Sequence, residues 1–122
     1  MSNIKKVATG AKWEDIVGYS RAIKIDNTIE ISGTTAPGID EYEQTKAIIT
    51  IAEKSLKELG ADLSNVIRTR MYCINIDQWE AIGKAHQETF GKIRPVTTLV
   101  AVSRLISPEI LIEIEFTAIV SK

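Results

Sequence analysis

The chain has one cysteine, Cys73, and one histidine, His86. A lone cysteine excludes an internal disulfide and a thiolate metal cluster within one chain. A Ser-His-Asp or Cys-His nucleophilic set would have to use His86, and a histidine metal site would need carboxylates or other chains. Neither sign of charge dominates. The net charge is −1, so bulk electrostatics does not draw the chain to nucleic acid or to an anionic membrane. Aromatic residues make up only 6%, too few to suggest a base-stacking platform. No apolar run approaches the ~20 residues that span a bilayer. The opening residues, Met1-Ser-Asn-Ile-Lys-Lys-Val, have no long apolar core of a signal peptide. A cytoplasmic location is therefore expected.

Proline and glycine are sparse and fall between periodic segments, so no linker, repeat or low-complexity tract divides the chain. At 122 residues, 44% hydrophobic and 25% charged, the expectation is one domain over residues 1–122. Arg21 to Ile25 and Thr28 to Ser32 read as strands around Asp26-Asn27, a pair suited to a tight hairpin. Lys5 to Ala8 is a candidate short strand. Thr34-Thr-Ala-Pro-Gly-Ile reads as a loop. Asp40 or a neighbour caps a helix to Leu59, where Ile48, Ile51, Ala52, Ser55 and Leu59 form one face and Gly60 is the stop. Asn65 to Ile74 is a strand rich in β-branched residues. Asp77 to Gly91 is a second helix, with Trp79, Ile82, Gly83, His86 and Phe90 on its inner face and Gly91 as its end. Val96 to Arg104 and Ile110 to Val120 are the last strands. This order predicts an α+β fold, a two-layer domain whose mixed six-stranded sheet carries two helices on one face.

The last strand alternates Ile110, Ile112, Ile114, Phe116, Ala118 and Val120 against Leu111, Glu113, Glu115, Thr117 and Ile119. Both sides hold apolar residues, so both are expected to lie against something, and self-association would cover the second. Glu113 and Glu115 share a face, roughly 7 Å apart by strand rise. Close carboxylates raise each other's pKa when partly buried, and one could then serve as a general base or proton donor. A salt-bridged sheet face using Arg68 and Arg70 is the alternative reading, and the one preferred for Glu115. His86, between Trp79 and Phe90, reads as a core histidine bonded to backbone, or as a base near neutrality. Cys73 reads as a small core residue.

Tyr19-Ser-Arg-Ala, Ile31-Ser-Gly-Thr-Thr, Ile93-Arg-Pro-Val-Thr-Thr-Leu and Ile112-Glu-Ile-Glu-Phe together resemble the reactive-intermediate deaminase family, RidA/YjgF, over nearly the whole chain. The resemblance implies a chorismate-mutase-like fold, a homotrimer, and small-molecule clefts between subunits. It implies Glu113 as the substrate-site glutamate, and Tyr19, Ser32, Gly33, Thr34, Thr97, Thr98 and His86 as candidate ligand contacts. It also places Thr97 where the family's deaminases hold the substrate carboxylate with an arginine. Threonine offers one hydroxyl and no charge, so it cannot make that two-pronged contact. Arg94 is weighed as a replacement against a plain surface arginine. If the chain is an enzyme, the expected chemistry is hydrolysis of an imine, enamine or related C–N bond, with Glu113 positioning or activating water. Water attack on an imine carbon needs no metal or organic cofactor, and none is expected. The competing reading is a non-catalytic protein that senses or carries a metabolite.

Overall fold

A computed structural model describes residues 3–121. The strands are β1 (Ile4–Val7), β2 (Ala22–Ile25), β3 (Thr28–Thr34), β4 (Val66–Cys73), β5 (Val96–Ala101) and β6 (Ile112–Ile119). The helices are α1 (Lys12–Val17), α2 (Glu41–Glu58) and α3 (Trp79–Phe90), and single 3-10 turns occupy Leu63–Asn65 and Ile76–Gln78. The strands form one sheet in the order β1-β2-β3-β6-β4-β5. β4 and β5 pair in parallel and every other neighbouring pair is antiparallel. A parallel pair needs a crossover, and α3 supplies it.

Local chemistry explains most boundaries. β2 and β3 meet at the two-residue turn Asp26-Asn27, where Asp26 takes the left-handed φ of 53°. Asp40 caps α2 by accepting from the Glu43 amide at 2.9 Å. Beyond that helix, Gly60 has a φ of 79°, the conformation expected of a glycine stop. The end of α3 differs from expectation. Gly91 stays right-handed at φ −57°, the Arg94 amide bonds to the Phe90 carbonyl, and the left-handed turn falls on Arg94 at φ 58°. Arg94 is thus not extended before Pro95. The short helix α1 is a further departure. Six residues are too few for periodicity to register.

β6 is the centre of the core. Ile112, Ile114, Phe116 and Ala118 are buried on one side of it, together with Ile29, Ile31, Ile48, Ala52, Leu56, Met71 and Ile82. Cys73 is buried there too, as a core residue. Cutting Ile114 or Phe116 to alanine would cost about 2–5 kcal/mol. The other side of β6 presents Glu113, Glu115 and Thr117, beside Tyr72, Arg70 and Arg68 on β4. Val96, Val100 and Ile119 add exposed apolar groups to that side of the sheet.

Candidate functional site

β3 carries an irregularity that positions the site. Ile31 pairs with Phe116 and Thr34 with Ile114, so β3 spends three residues where β6 spends two. Ile31 and Thr34 consequently face the same, buried side. The Glu113 side chain lies against Gly33. A Cβ built on Gly33 would stand 2.0 Å from Glu113 Oε2. Only a glycine lets the carboxylate rest against the β3 backbone.

Glu113 is half-buried, and no side chain or amide hydrogen-bonds its carboxylate among the described residues. Burial raises its pKa above the usual carboxylate value, Glu115 adds to that, and the Arg21 charge only partly offsets them. Glu115 is the better-paired neighbour. It takes a hydrogen bond from the Tyr72 hydroxyl at 3.2 Å and lies 3.9 Å from Arg70 Nη1.

A cavity of about 730 Å³ opens beside Gly33 and Glu113. Tyr19, Arg21 and Thr34 also line it, as do Trp13 and Val17 of α1 and Ile51 of α2. Its volume lies within the ~300–1,000 Å³ typical of ligand pockets. Arg21 is buried and central to its polar end. Its Nη1 donates to the Gly33 carbonyl at 2.9 Å and to Thr34 Oγ1 at 3.0 Å, and its Nη2 donates to the Tyr19 hydroxyl at 3.2 Å. Glu14 of α1, also buried, places Oε2 3.6 Å from Arg21 Nε. Burial opposes the charge on Glu14, yet bonds from the Thr9 hydroxyl and amide, with the Arg21 charge, hold its carboxyl below the usual range.

The residues expected at the site fall into two groups within one chain. Tyr19, Gly33, Thr34 and Glu113 line the cavity. Ser32 sits next to it, and its hydroxyl donates to the Ser20 carbonyl at 2.7 Å. Thr34 is almost wholly buried, and its hydroxyl donates to the Ser32 carbonyl at 2.8 Å while accepting from Arg21. That hydroxyl holds the bulge together and has no proton left for a ligand. The second group lies at the β5 edge. Thr69 Oγ1, buried on β4, is 2.8 Å from Thr97 Oγ1 and 2.9 Å from His86 Nε2. This face of β4 and β5 is the buried side, opposite Glu113, because Thr69 pairs with Phe116. Burial lowers the His86 pKa, which favours the neutral ring. Its recorded partner is the Thr69 hydroxyl and not the backbone. Thr98 is exposed on the opposite side, paired with Arg70. Arg94 does not line the cavity within one chain. Its Nε donates to the Gly91 carbonyl at 2.8 Å and caps α3.

Sequence reasoning missed Arg21, which lines the cavity, and Glu14, which stands behind it. Arg21 reads there as the first residue of a strand, and Glu14 belongs to a helix too short to detect. The available signal was an arginine two places after Tyr19 at a strand entrance.

Comparison with known proteins settles the family. Residues 7–120 match the family described as Endoribonuclease L-PSP. The chain belongs to the RidA/YjgF family. Rv2704 of Mycobacterium tuberculosis, described as a member of the YjgF/YER057c/UK114 family, superposes with a TM-score of 0.95 at 42% identity, covering 97% of this chain and 100% of that one. An uncharacterized protein of Streptomyces coelicolor is 35% identical over 94% of this chain and 91% of its own length. The human protein named 2-iminobutanoate/2-iminopropanoate deaminase is 29% identical over 85% of this chain and 82% of its own length. The α+β, chorismate-mutase-like architecture expected from sequence agrees with these RidA/YjgF neighbours. No helix among the described residues is long and apolar enough to cross a membrane.

Proposed function

We propose that this RidA/YjgF protein binds a small imine or enamine in the Glu113 cavity and hydrolyses its C–N bond. The observation that carries the reading is Glu113 itself: a half-buried carboxylate, raised in pKa, laid on the Gly33 backbone without a hydrogen-bonding partner among the described residues. A carboxylate held this way suits general base chemistry near neutral pH. With the imine in its protonated, iminium form, water oxygen attacks the carbon, the C=N π pair moves to nitrogen, and Glu113 takes a proton from the water. This gives a neutral carbinolamine and a protonated Glu113. Glu113 returns that proton to the carbinolamine nitrogen. The C–N bond then breaks with its electron pair leaving on ammonia while the hydroxyl proton passes to Glu113, which leaves the carbonyl and later releases the proton to solvent. The relatives named 2-iminobutanoate/2-iminopropanoate deaminase make a 2-imino acid the first substrate to try.

A cytoplasmic homotrimer is the assembly this reading takes. Apposition of two copies would bring the β5-edge group, Thr97 with Thr69 and His86, to the Glu113 group of a neighbour. Thr98 and the apolar Val96 and Val100 lie on the open side of the sheet, the side a partner would cover. Thr97 then meets the ligand as a neutral hydroxyl where the family's deaminases have an arginine.

The test is ammonia release from 2-iminobutanoate generated in place, with native protein and Glu113→Gln side by side. Release by the native protein that drops at least ~100-fold in the variant supports the assignment. Equal release from both would remove Glu113 from the chemistry. Absence of release from the native protein, with binding of 2-oxobutanoate retained, would make this a metabolite-binding protein instead.

A further inference from the structure

Thr97 leaves the β5 edge without a cation, yet the Glu113 cavity has a buried one of its own. Arg21 is 6% exposed and reaches the cavity wall beside Tyr19 and Gly33. Its hydrogen bonds have a fixed direction, because a guanidinium only donates. Tyr19 Oη must therefore accept from Arg21 Nη2, and the phenol proton is left over. Arg21 also stacks on this phenol, with its guanidinium carbon 5.4 Å from the ring centre. The neighbouring hydroxyls are spent differently. Thr34 gives its proton to the Ser32 carbonyl, and Ser32 gives its own to the Ser20 carbonyl. Tyr19 is thus the hydroxyl of this cluster whose proton remains available to the cavity, and a full positive charge stands directly behind it. Such a donor is charge-assisted and favours an anionic acceptor.

We infer that Arg21 is a specificity-determining residue, acting through the Tyr19 hydroxyl to select ligands that carry a carboxylate next to the group presented to Glu113. Glu14 is its positioning partner. It holds the guanidinium from the α1 side and is itself held by Thr9. This inference rests on the reading of the cavity as a small-molecule site, and names the charge that the site prefers. It also gives the chain a cationic contact on the same side as Glu113.

The deciding experiment is a pair of titrations, 2-oxobutanoate and its neutral amide, followed by the ¹³Cζ resonance of Tyr19. The other two tyrosines are assigned by Tyr42→Phe and Tyr72→Phe. The expected result is a shift of Tyr19 that saturates with 2-oxobutanoate at a concentration at least tenfold below that needed for the amide. Arg21→Met alone would strand Glu14 without its counter-charge, so the variant is Arg21→Met with Glu14→Gln. That double variant should lose the tenfold preference, whatever its affinity for the amide. Arg21→Lys should restore part of it. Equal affinity for both compounds, or a Tyr19 resonance that neither moves, overturns the inference whatever the turnover. A tenfold preference in a protein that releases no ammonia would uphold Arg21 and sink only the hydrolysis reading.

Discussion

Two glutamates belong to this site, and they are held in opposite ways. Glu14 reaches Arg21, accepts two bonds from Thr9 and is kept ionised. Glu113 lies against Gly33, takes no hydrogen bond among the described residues and is pushed toward the protonated form. Burial opposes charge at both, so burial alone does not separate them. The difference is in the donors: Glu14 has them and Glu113 does not. A carboxylate with its donors supplied stabilises the fold, whereas one left without them is free to exchange a proton with a substrate.

The comparison can be broken most sharply at Glu113. Glu113→Gln should lower ammonia release by roughly 10²–10⁴. It should leave urea stability at pH 7 unchanged or higher, because it removes an unpaired carboxylate whose ionised form the fold disfavours. A clear loss of stability would show that Glu113 is a structural group after all. Gly33→Ala should come next. The new methyl meets the movable end of the Glu113 side chain and not a rigid backbone, so the fold should tolerate it with less than about 1 kcal/mol lost while turnover falls at least ~10-fold. Unfolding and rate measurements on one preparation would check both halves.

Glu14→Gln should do the reverse of Glu113→Gln, costing about 1.5–3 kcal/mol by urea unfolding, since bonds to a buried charge are lost. The pH profiles carry the same opposition. The Glu14 pKa is lowered from 4.5 on folding, so its contribution is present above pH 4.5 and is lost as pH falls through the folded value. The Glu113 pKa is raised from 4.5, so its cost is present above the folded value and is relieved as pH falls through it toward 4.5. Stability measured from pH 7 to pH 3 should decline less steeply at the acid end in Glu14→Gln. In Glu113→Gln the relief on moderate acidification should disappear. The smallest effect belongs to the β5 edge. Thr97→Val removes one hydroxyl partner of Thr69 and leaves His86, at about 0.5–1.5 kcal/mol.

Much of this arrangement was readable before the structure. The alternation of β6 put Glu113 opposite the core, and the Asp26-Asn27 turn set the register of β2 on β3. Gly33 was expected as a ligand contact, and within the chain it is the Glu113 carboxylate that lies against it. What escaped was non-local or too short. α1 has no period to detect, so Glu14 was silent. Thr34, implied as a ligand contact by the resemblance, lines the cavity, but the bulge commits its hydroxyl to Ser32 and Arg21, and no strand period foretells that. Thr97 and Thr98 are adjacent in sequence, yet pairing with Thr69 and Arg70 sends them to opposite sides of the sheet. A parallel crossover through α3 is what fixes that pairing, and no short stretch of sequence encodes it.

The extra residue of β3 makes this site sensitive to length as well as to composition. With three residues set against two, Gly33 meets the carboxylate and Thr34 meets the core. Deletion of one residue between Ile31 and Thr34 would restore even pairing, keeping Ile31 opposite Phe116 and Thr34 opposite Ile114 but leaving one residue where two now stand, so the close approach of the β3 backbone to Glu113 would be lost. No residue type near Glu113 need change for the site to vanish. An indel that would pass unnoticed in a surface loop would here rewrite the chemistry of the cavity.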